Sequence, residues 1–278
     1  MSTDHTAQAM SAIYEDEIGY KKDLLEMTLR LADDRLILGH RLSETCGHGP
    51  ILEEDIATTN TALDLIGQAK SYYDYAGEIE HGKQEFDPDT NTPGDKYAYF
   101  REAIDFRNAL LTEQPNDDFA HQILRQFFWD AFDFAFTKRL TLSSDATYSA
   151  IAAKAIKEAT YHLRRSGLWV IKLADGTDES RERILSALDD LWMYTGELFE
   201  TDEIYQRLHS SGVLPDISEV KGEFDSTLSK IFSEANIPMP EPDEYMQTGG
   251  RKGVHTEELG HLLAVMQSLP RSMPDAQW

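Results

Sequence analysis

Apolar residues recur along this chain at steps of three, four and seven, the spacing of one helix face, and no segment shows the strict alternation of a half-buried strand. The first stripe runs through Leu24, Met27, Leu31, Leu38 and Leu42, is interrupted by Arg35, and follows a polar N-terminus at 1–17 expected to be a flexible tail. A second helix is predicted over 52–80. Glu53, Glu54 and Asp55 in its first turn favour the positive end of the helix dipole, and Ile56, Leu63, Ile66 and Tyr73 form its apolar line. Residues 82–95 carry Pro88, Asn91, Pro93 and Gly94 and read as the longest mid-chain linker.

Two helices are predicted beyond it. One covers 96–112 and stops before Gln114-Pro115, because a residue preceding proline is pushed out of the helical region. The next covers 116–141 with Phe119, Ile123, Phe127, Ala131 and Phe134 inward. After a turn at 143–149, an Ala-rich helix is expected at 150–174, closed by Gly176 as a left-handed cap. Thr177 caps a helix over 178–200 that buries Ile184, Leu188, Leu191, Trp192 and Leu198, and Thr201 starts a shorter one ending at Gly212. Helices at 216–235 and 255–269 follow, separated by a Pro-rich stretch at 237–242 and a Gly-rich loop at 249–253.

These elements predict an all-α protein, one domain over 18–278, with four long helices in two pairs about the linker and additional C-terminal helices. Ferritin-like bundles use this arrangement, and so do other helical bundles. At 278 residues and 41% apolar content the chain buries a core without needing disulfides or a structural metal.

Charge narrows the partners. Lys and Arg number 26 against 50 Asp and Glu, and the resulting −24 repels nucleic-acid phosphate and anionic membrane. No run of eighteen apolar residues is present to cross a bilayer. A single cysteine, Cys46, and an N-terminus with neither a basic nor an apolar leader region point to the cytoplasm. An anionic substrate would need local basic residues, or a more basic partner, to approach such a surface.

Ferritin-like di-iron sites take one Glu from each of two helices and a Glu-x-x-His pair from each of two others. Two such pairs occur, Glu78 with His81 and Glu258 with His261, but the first abuts Gly82 and the linker and the second follows the glycine loop. Both are therefore assigned to ordinary helix-end positions. At 157–162 the sequence is more informative: His162 has Ala159 at the partner spacing, and Glu158 stands one residue early, about 100° around the helix. Glu44 follows the first apolar stripe, Asp64 and Lys70 interrupt the second, and Asp130 lies amid Phe127, Phe128, Trp129 and Phe132; a metal-free ion network of Lys70, Asp130, Glu158 and His162 is one reading of them. Cys46-Gly47-His48 reads as a helix-end turn. Gly249-Gly250-Arg251-Lys252-Gly253 offers an anion or partner contact through Arg251 and Lys252, or a solvated loop. The aromatics at 127–136 suit a core or a subunit interface.

Several blocks together resemble the C-component family of the bacterial phenylacetyl-coenzyme A epoxidases. They are Arg41-Leu42-Ser43-Glu44-Thr45-Cys46-Gly47-His48-Gly49-Pro50, Leu63-Asp64-Leu65-Ile66-Gly67-Gln68-Ala69, Glu113-Gln114-Pro115-Asn116, Lys154-Ala155-Ile156-Lys157-Glu158-Ala159-Thr160-Tyr161-His162-Leu163-Arg164, Leu191-Trp192, Glu197-Leu198-Phe199 and Thr248-Gly249-Gly250-Arg251-Lys252-Gly253. The resemblance spans about 24–278. It implies a ferritin-like structural subunit paired with the related catalytic A component, which carries the di-iron centre, in a complex that draws electrons from NADPH through a reductase. The reaction it implies is epoxidation of the phenylacetyl ring at the 1,2 position with oxygen.

Against the catalytic pattern, Glu44, Asp130 and His162 fall at ligand-like positions, while Ala159 replaces the carboxylate. The second helix supplies Asp64 with Gly67 or, two residues on, Ile66 with Ala69, and no histidine in either register. The expectation is a subunit with no catalytic residue, metal or cofactor of its own. The alternatives are a di-iron oxidase with unconventional ligands and an unrelated helical anion-binding protein.

Overall fold

The computed structural model of the chain describes residues 17–82, 93–241, 245–274 and 276. The expected tail thus lies outside the described residues apart from Glu17, which already begins a helix, and so does most of the linker. Eleven α-helices follow in order among the described residues: α1 (Glu17–Ser43), α2 (Leu52–His81), α3 (Pro93–Tyr99), α4 (Leu110–Glu113), α5 (Phe119–Leu140), α6 (Ala146–Ala174), α7 (Asp178–Leu191), α8 (Glu203–Ser210), α9 (Ile217–Glu234), α10 (Glu257–Met266) and α11 (Ser268–Ser272). The described residues contain no strand, and the fold is an all-α helical bundle. No helix among them is long and apolar enough to cross a membrane.

The described residues divide into two compact units, one that is continuous among them, at 116–248, and a split one assembled from 17–115 and 249–276. In the split unit α1 and α2 form an antiparallel pair: Gly39 faces Ala62 and Ile66, Arg35 bonds Gln68, and Asp33 meets Tyr73. A Cβ at Gly39 would lie 2.9 Å from Ile66 Cγ1, so glycine sets the closeness of that crossing.

The predicted stripe of α1 is buried as expected. That of α2 is rotated. Ile56 and Leu63 are exposed, and the packed face is Ala62, Leu65, Ala69, Tyr72, Tyr73 and Ala76, where small residues admit α1.

The helix predicted over 96–112 is broken. Only Pro93–Tyr99 and Leu110–Glu113 are α-helical, with a 3₁₀ turn at Ala103–Asp105 and extended chain at Phe106 and Ala109. The cause is tertiary. The N–H of Arg107 donates to Asp33 Oδ2 at 2.8 Å and that of Ala109 to Asp34 Oδ1 at 2.7 Å, bonds that helical backbone could not offer.

In the continuous unit α5 and α6 are antiparallel, with Phe119 against Trp169 and Asp130 against Ser166. Phe127, Phe128, Phe132 and Phe136 are buried in its core. Phe232 of α9 stacks near Phe127 and Phe128, and Phe199 meets Phe132 and Phe224. These aromatics therefore serve as core.

Local signals set most helix starts. Asp118, Asp145, Thr177, Asp202 and Asp216 each accept a backbone N–H at an N-terminus. Asp202 takes the role expected of Thr201. Gly176 has no left-handed φ; its Cβ would meet Ser180 Oγ at 2.8 Å, so close approach explains it. The helix predicted over 178–200 stops at Leu191 and continues as 3₁₀ turns, leaving Trp192 half-buried. The final predicted helix divides at Gln267 into α10 and α11.

Candidate functional site

The candidate centre of the continuous unit is built on α5 and α6. Asp130 is buried, and its two oxygens accept from Gln126 Nε2 and Ser166 Oγ, each at 2.7 Å. Burial pushes the Asp130 carboxyl up to about 6, against the pull of His162 and of the two hydrogen bonds. His162 is buried one turn from Ser166, whose hydroxyl also reaches the His162 carbonyl at 3.0 Å. Ala159 is 1% exposed, and Glu158 is half-buried beside it. Asp130 and His162 lie within electrostatic reach of each other; Ser166 touches both, and Gln126 bonds Asp130, two members that the sequence did not single out.

The remaining sequence-predicted positions belong to the split unit. Lys70 is 60% exposed and pairs with Asp74 at 2.7 Å along α2, an ordinary i,i+4 surface pair. Asp64 is half-buried on the same helix. Glu44 pairs with Arg41 at 3.1 Å at the end of α1. Cys46 is exposed, His48 Nδ1 lies 3.1 Å from the Cys46 carbonyl, and the N–H groups of Gly47 and Gly49 both donate to Asp55, so 46–48 is the expected helix-end turn. His81 ends α2 beside Glu80, while Glu258 meets Arg41 and His261 is exposed.

Arg251 does not reach for solvent. Its guanidinium takes the Asp34 carboxylate with both terminal nitrogens at 2.9 Å and the Arg107 carbonyl at 2.8 Å, while Lys252 is exposed. The surrounding glycines permit this seat. A Cβ at Gly250 would lie 2.2 Å from the Asn108 carbonyl oxygen, and one at Gly253, where φ is 76°, the same distance from that of Ile104.

This loop completes a buried polar layer that sequence reasoning missed. Asp33 receives Tyr73, Arg101 and the Arg107 N–H. Fully buried Glu113 accepts from Asn108, His255 and both the N–H and hydroxyl of Thr256, at 2.7–2.8 Å, and so anchors the start of α10. The available signal was the run Asp33-Asp34-Arg35 within the apolar stripe of α1, of which only Arg35 stands out by periodicity.

These donors do not suit a di-iron pair. Two metal ions need several carboxylates to balance their charge in a low-dielectric interior. Here the carboxylate position beside His162 is a buried methyl group, and both Asp130 oxygens are occupied by neutral hydrogen-bond donors. Among the described residues no three His, Cys, Asp or Glu side chains are grouped so as to hold a metal ion.

Comparison with known proteins supplies what geometry leaves open. A family described as "Phenylacetic acid catabolic protein" matches residues 7–278. The chain is also 44% identical over 255 residues, 92% of its own length and 99% of the relative's, to the C component of the "1,2-phenylacetyl-CoA epoxidase" of Escherichia coli (strain K12).

Proposed function

This chain belongs to the phenylacetic acid catabolic protein family, and from that premise we propose that it is the non-catalytic subunit of a phenylacetyl-coenzyme A epoxidase, holding a related catalytic di-iron subunit in its working form. The observation that carries this reading is Ala159. A ferritin-like iron site needs a carboxylate one turn before the histidine, and this chain places a buried methyl group there, with Asp130 engaged by Gln126 and Ser166. The polar cluster around Asp130 then acts to fix the register of α5 and α6. Oxygen chemistry belongs to the partner, and electrons reach it from NADPH through a reductase. A ferritin-like arrangement of the long helices and a cytoplasmic setting are parts of the same proposal.

Native copurification with metal quantified for each subunit tests it. The expected result is recovery of this chain with a second, related subunit that carries the iron, this chain having none. Two irons bound per chain, with substrate turnover by the isolated protein, would overturn it.

A further inference from the structure

We infer that the exposed basic face of α6 is a docking surface for an acidic helix face on another protein subunit, an inference that rests on the reading of this chain as part of a complex. Helix α6 carries Lys154, Lys157, Arg164, Arg165 and Lys172 but only one acidic residue, Glu158, in a chain whose Asp and Glu number 50 against 26 Lys and Arg. The concentration is also angular. At 100° per residue, Lys154, Lys157, Tyr161, Arg164, Arg165, Leu168 and Lys172 fall within an arc of about 100°. The opposite arc holds Ala152, Ala155, Ala159, His162, Ser166 and Val170, all buried.

The outward side chains are available. Lys154, Lys157, Arg164 and Lys172 are exposed, and among them stand Tyr161 at 54% and Leu168 at 47% exposure. Lys172 Nζ lies 4.6 Å from the Trp169 ring, which holds the ammonium at the edge of the face. Other cations of the chain neutralise its own carboxylates, as Arg101 does for Asp33, Arg251 for Asp34, Arg139 for Glu223 and Arg183 for Asp118. On α6, exposed Lys154, Lys157, Arg164 and Lys172 instead form a basic ridge, about 27 Å long between Lys154 and Lys172.

The shape and charge select the occupant. A ridge along one helix does not enclose a small anion as a concave pocket does. A second copy of the same face would meet it with like charge, so two-fold pairing of this face is disfavoured. A protein face bearing acidic residues around a small apolar centre satisfies both the cations and the Tyr161–Leu168 pair, which is the anatomy of a polar-rimmed interface.

The test uses the full chain and the subunit that copurifies with it, comparing wild type with the triple variant Lys154→Glu, Lys157→Glu, Arg164→Glu and with the charge-keeping set Lys154→Arg, Lys157→Arg, Arg164→Lys. The triple reversal is expected to weaken association by about ten-fold or more and to flatten its salt dependence, while the charge-keeping set binds as wild type does. A photo-crosslinker at Leu168 is expected to join an Asp- or Glu-rich helix of that subunit. This second measurement needs no charge change, so a folding defect in the triple variant leaves the proposal testable. Equal affinity and salt dependence for wild type and the triple reversal, or cross-links from Leu168 to a second copy of this chain, would overturn the docking face while leaving the partner reading intact. So would loss, on charge reversal, only of binding to anionic lipid vesicles or duplex DNA. Recovery of no subunit by wild type would instead overturn the partner reading on which it rests.

Discussion

Arg251 and Asp34, 217 positions apart, meet through two hydrogen bonds of 2.9 Å inside the split unit. Burial still leaves the Asp34 carboxyl above its ordinary range, because desolvation outweighs Arg251, the Ala109 N–H and Arg35. The carboxylate therefore depends on its partner. Arg251→Met is expected to cost about 3–5 kcal/mol by leaving a buried charge uncompensated, and adding Asp34→Asn is expected to restore part of that loss. Denaturant midpoints measure both, and equal losses in the single and double variants would count against the clamp.

Gly250→Ala tests the seat of the same loop. A methyl group 2.2 Å from the Asn108 carbonyl oxygen forces the loop away from the extended segment. Overpacking of this kind costs about 1–3 kcal/mol. Hydrogen exchange is expected to rise specifically in 249–267 and at the N–H groups of Arg107 and Ala109. Unchanged exchange there would show that the loop is not what holds the segment.

Asp130 makes stability fall with rising pH. Its folded carboxyl, at about 6, keeps a proton that the unfolded chain releases near 3.8. Its contribution is therefore complete below pH 3.8 and lost as pH rises to about 6. Asp130→Asn, which can keep bonds to Gln126 and Ser166, is expected to gain on wild type across that window by about 3 kcal/mol. Thermal melts at a series of pH values measure the difference, and a constant offset from pH 4 to 7 would contradict the assignment.

His40 works in the opposite sense. Burial holds its imidazole at about 4, below the ordinary 6.5, and its Nε2 is buried without a hydrogen-bond partner among the described residues. Its contribution is complete above pH 6.5 and is lost as pH falls through about 4. His40→Leu is expected to remove up to about 3 kcal/mol of acid sensitivity over that range, with little change at pH 7. Acid-unfolding curves of the two proteins check this.

Restoring the carboxylate is not expected to restore a metal centre. Ala159→Glu introduces an unpaired acid at a buried site and is expected to destabilise the continuous unit by about 2–4 kcal/mol. Added ferrous iron is not expected to raise its melting temperature. A metal-dependent rise would mean that the surrounding donors are closer to a working set than Asp130 and its neighbours indicate.

What could be read from the sequence depended on the range of the forces involved. Helix starts at Thr177 and Asp216 are local, since a side chain and the N–H two or three residues on decide them, and both were legible. The packed face of α2 was not. Its Ala62, Ala69 and Ala76 matter because they are small, whereas apolar weighting favours Leu63 and Ile56, which are exposed. The break after Tyr99 follows from carboxylates on α1, more than seventy positions earlier, and no window around 96–112 contains them. At the candidate centre, the absence of a carboxylate at Ala159 was plain from spacing alone. The Ser166 and Gln126 contacts were not, because serine and glutamine on a helix usually face water.

The clamp between Asp34 and Arg251 also has a temporal side. A ribosome delivers α1 first and Arg251 only after 116–248 has been made, so until then the Asp34 carboxylate has Arg35 beside it but not the two-nitrogen bond from Arg251. Closure of this clamp thus follows synthesis of the glycine loop at 249–253, and products that stop before Arg251 are expected to leave α1 more open to proteolysis.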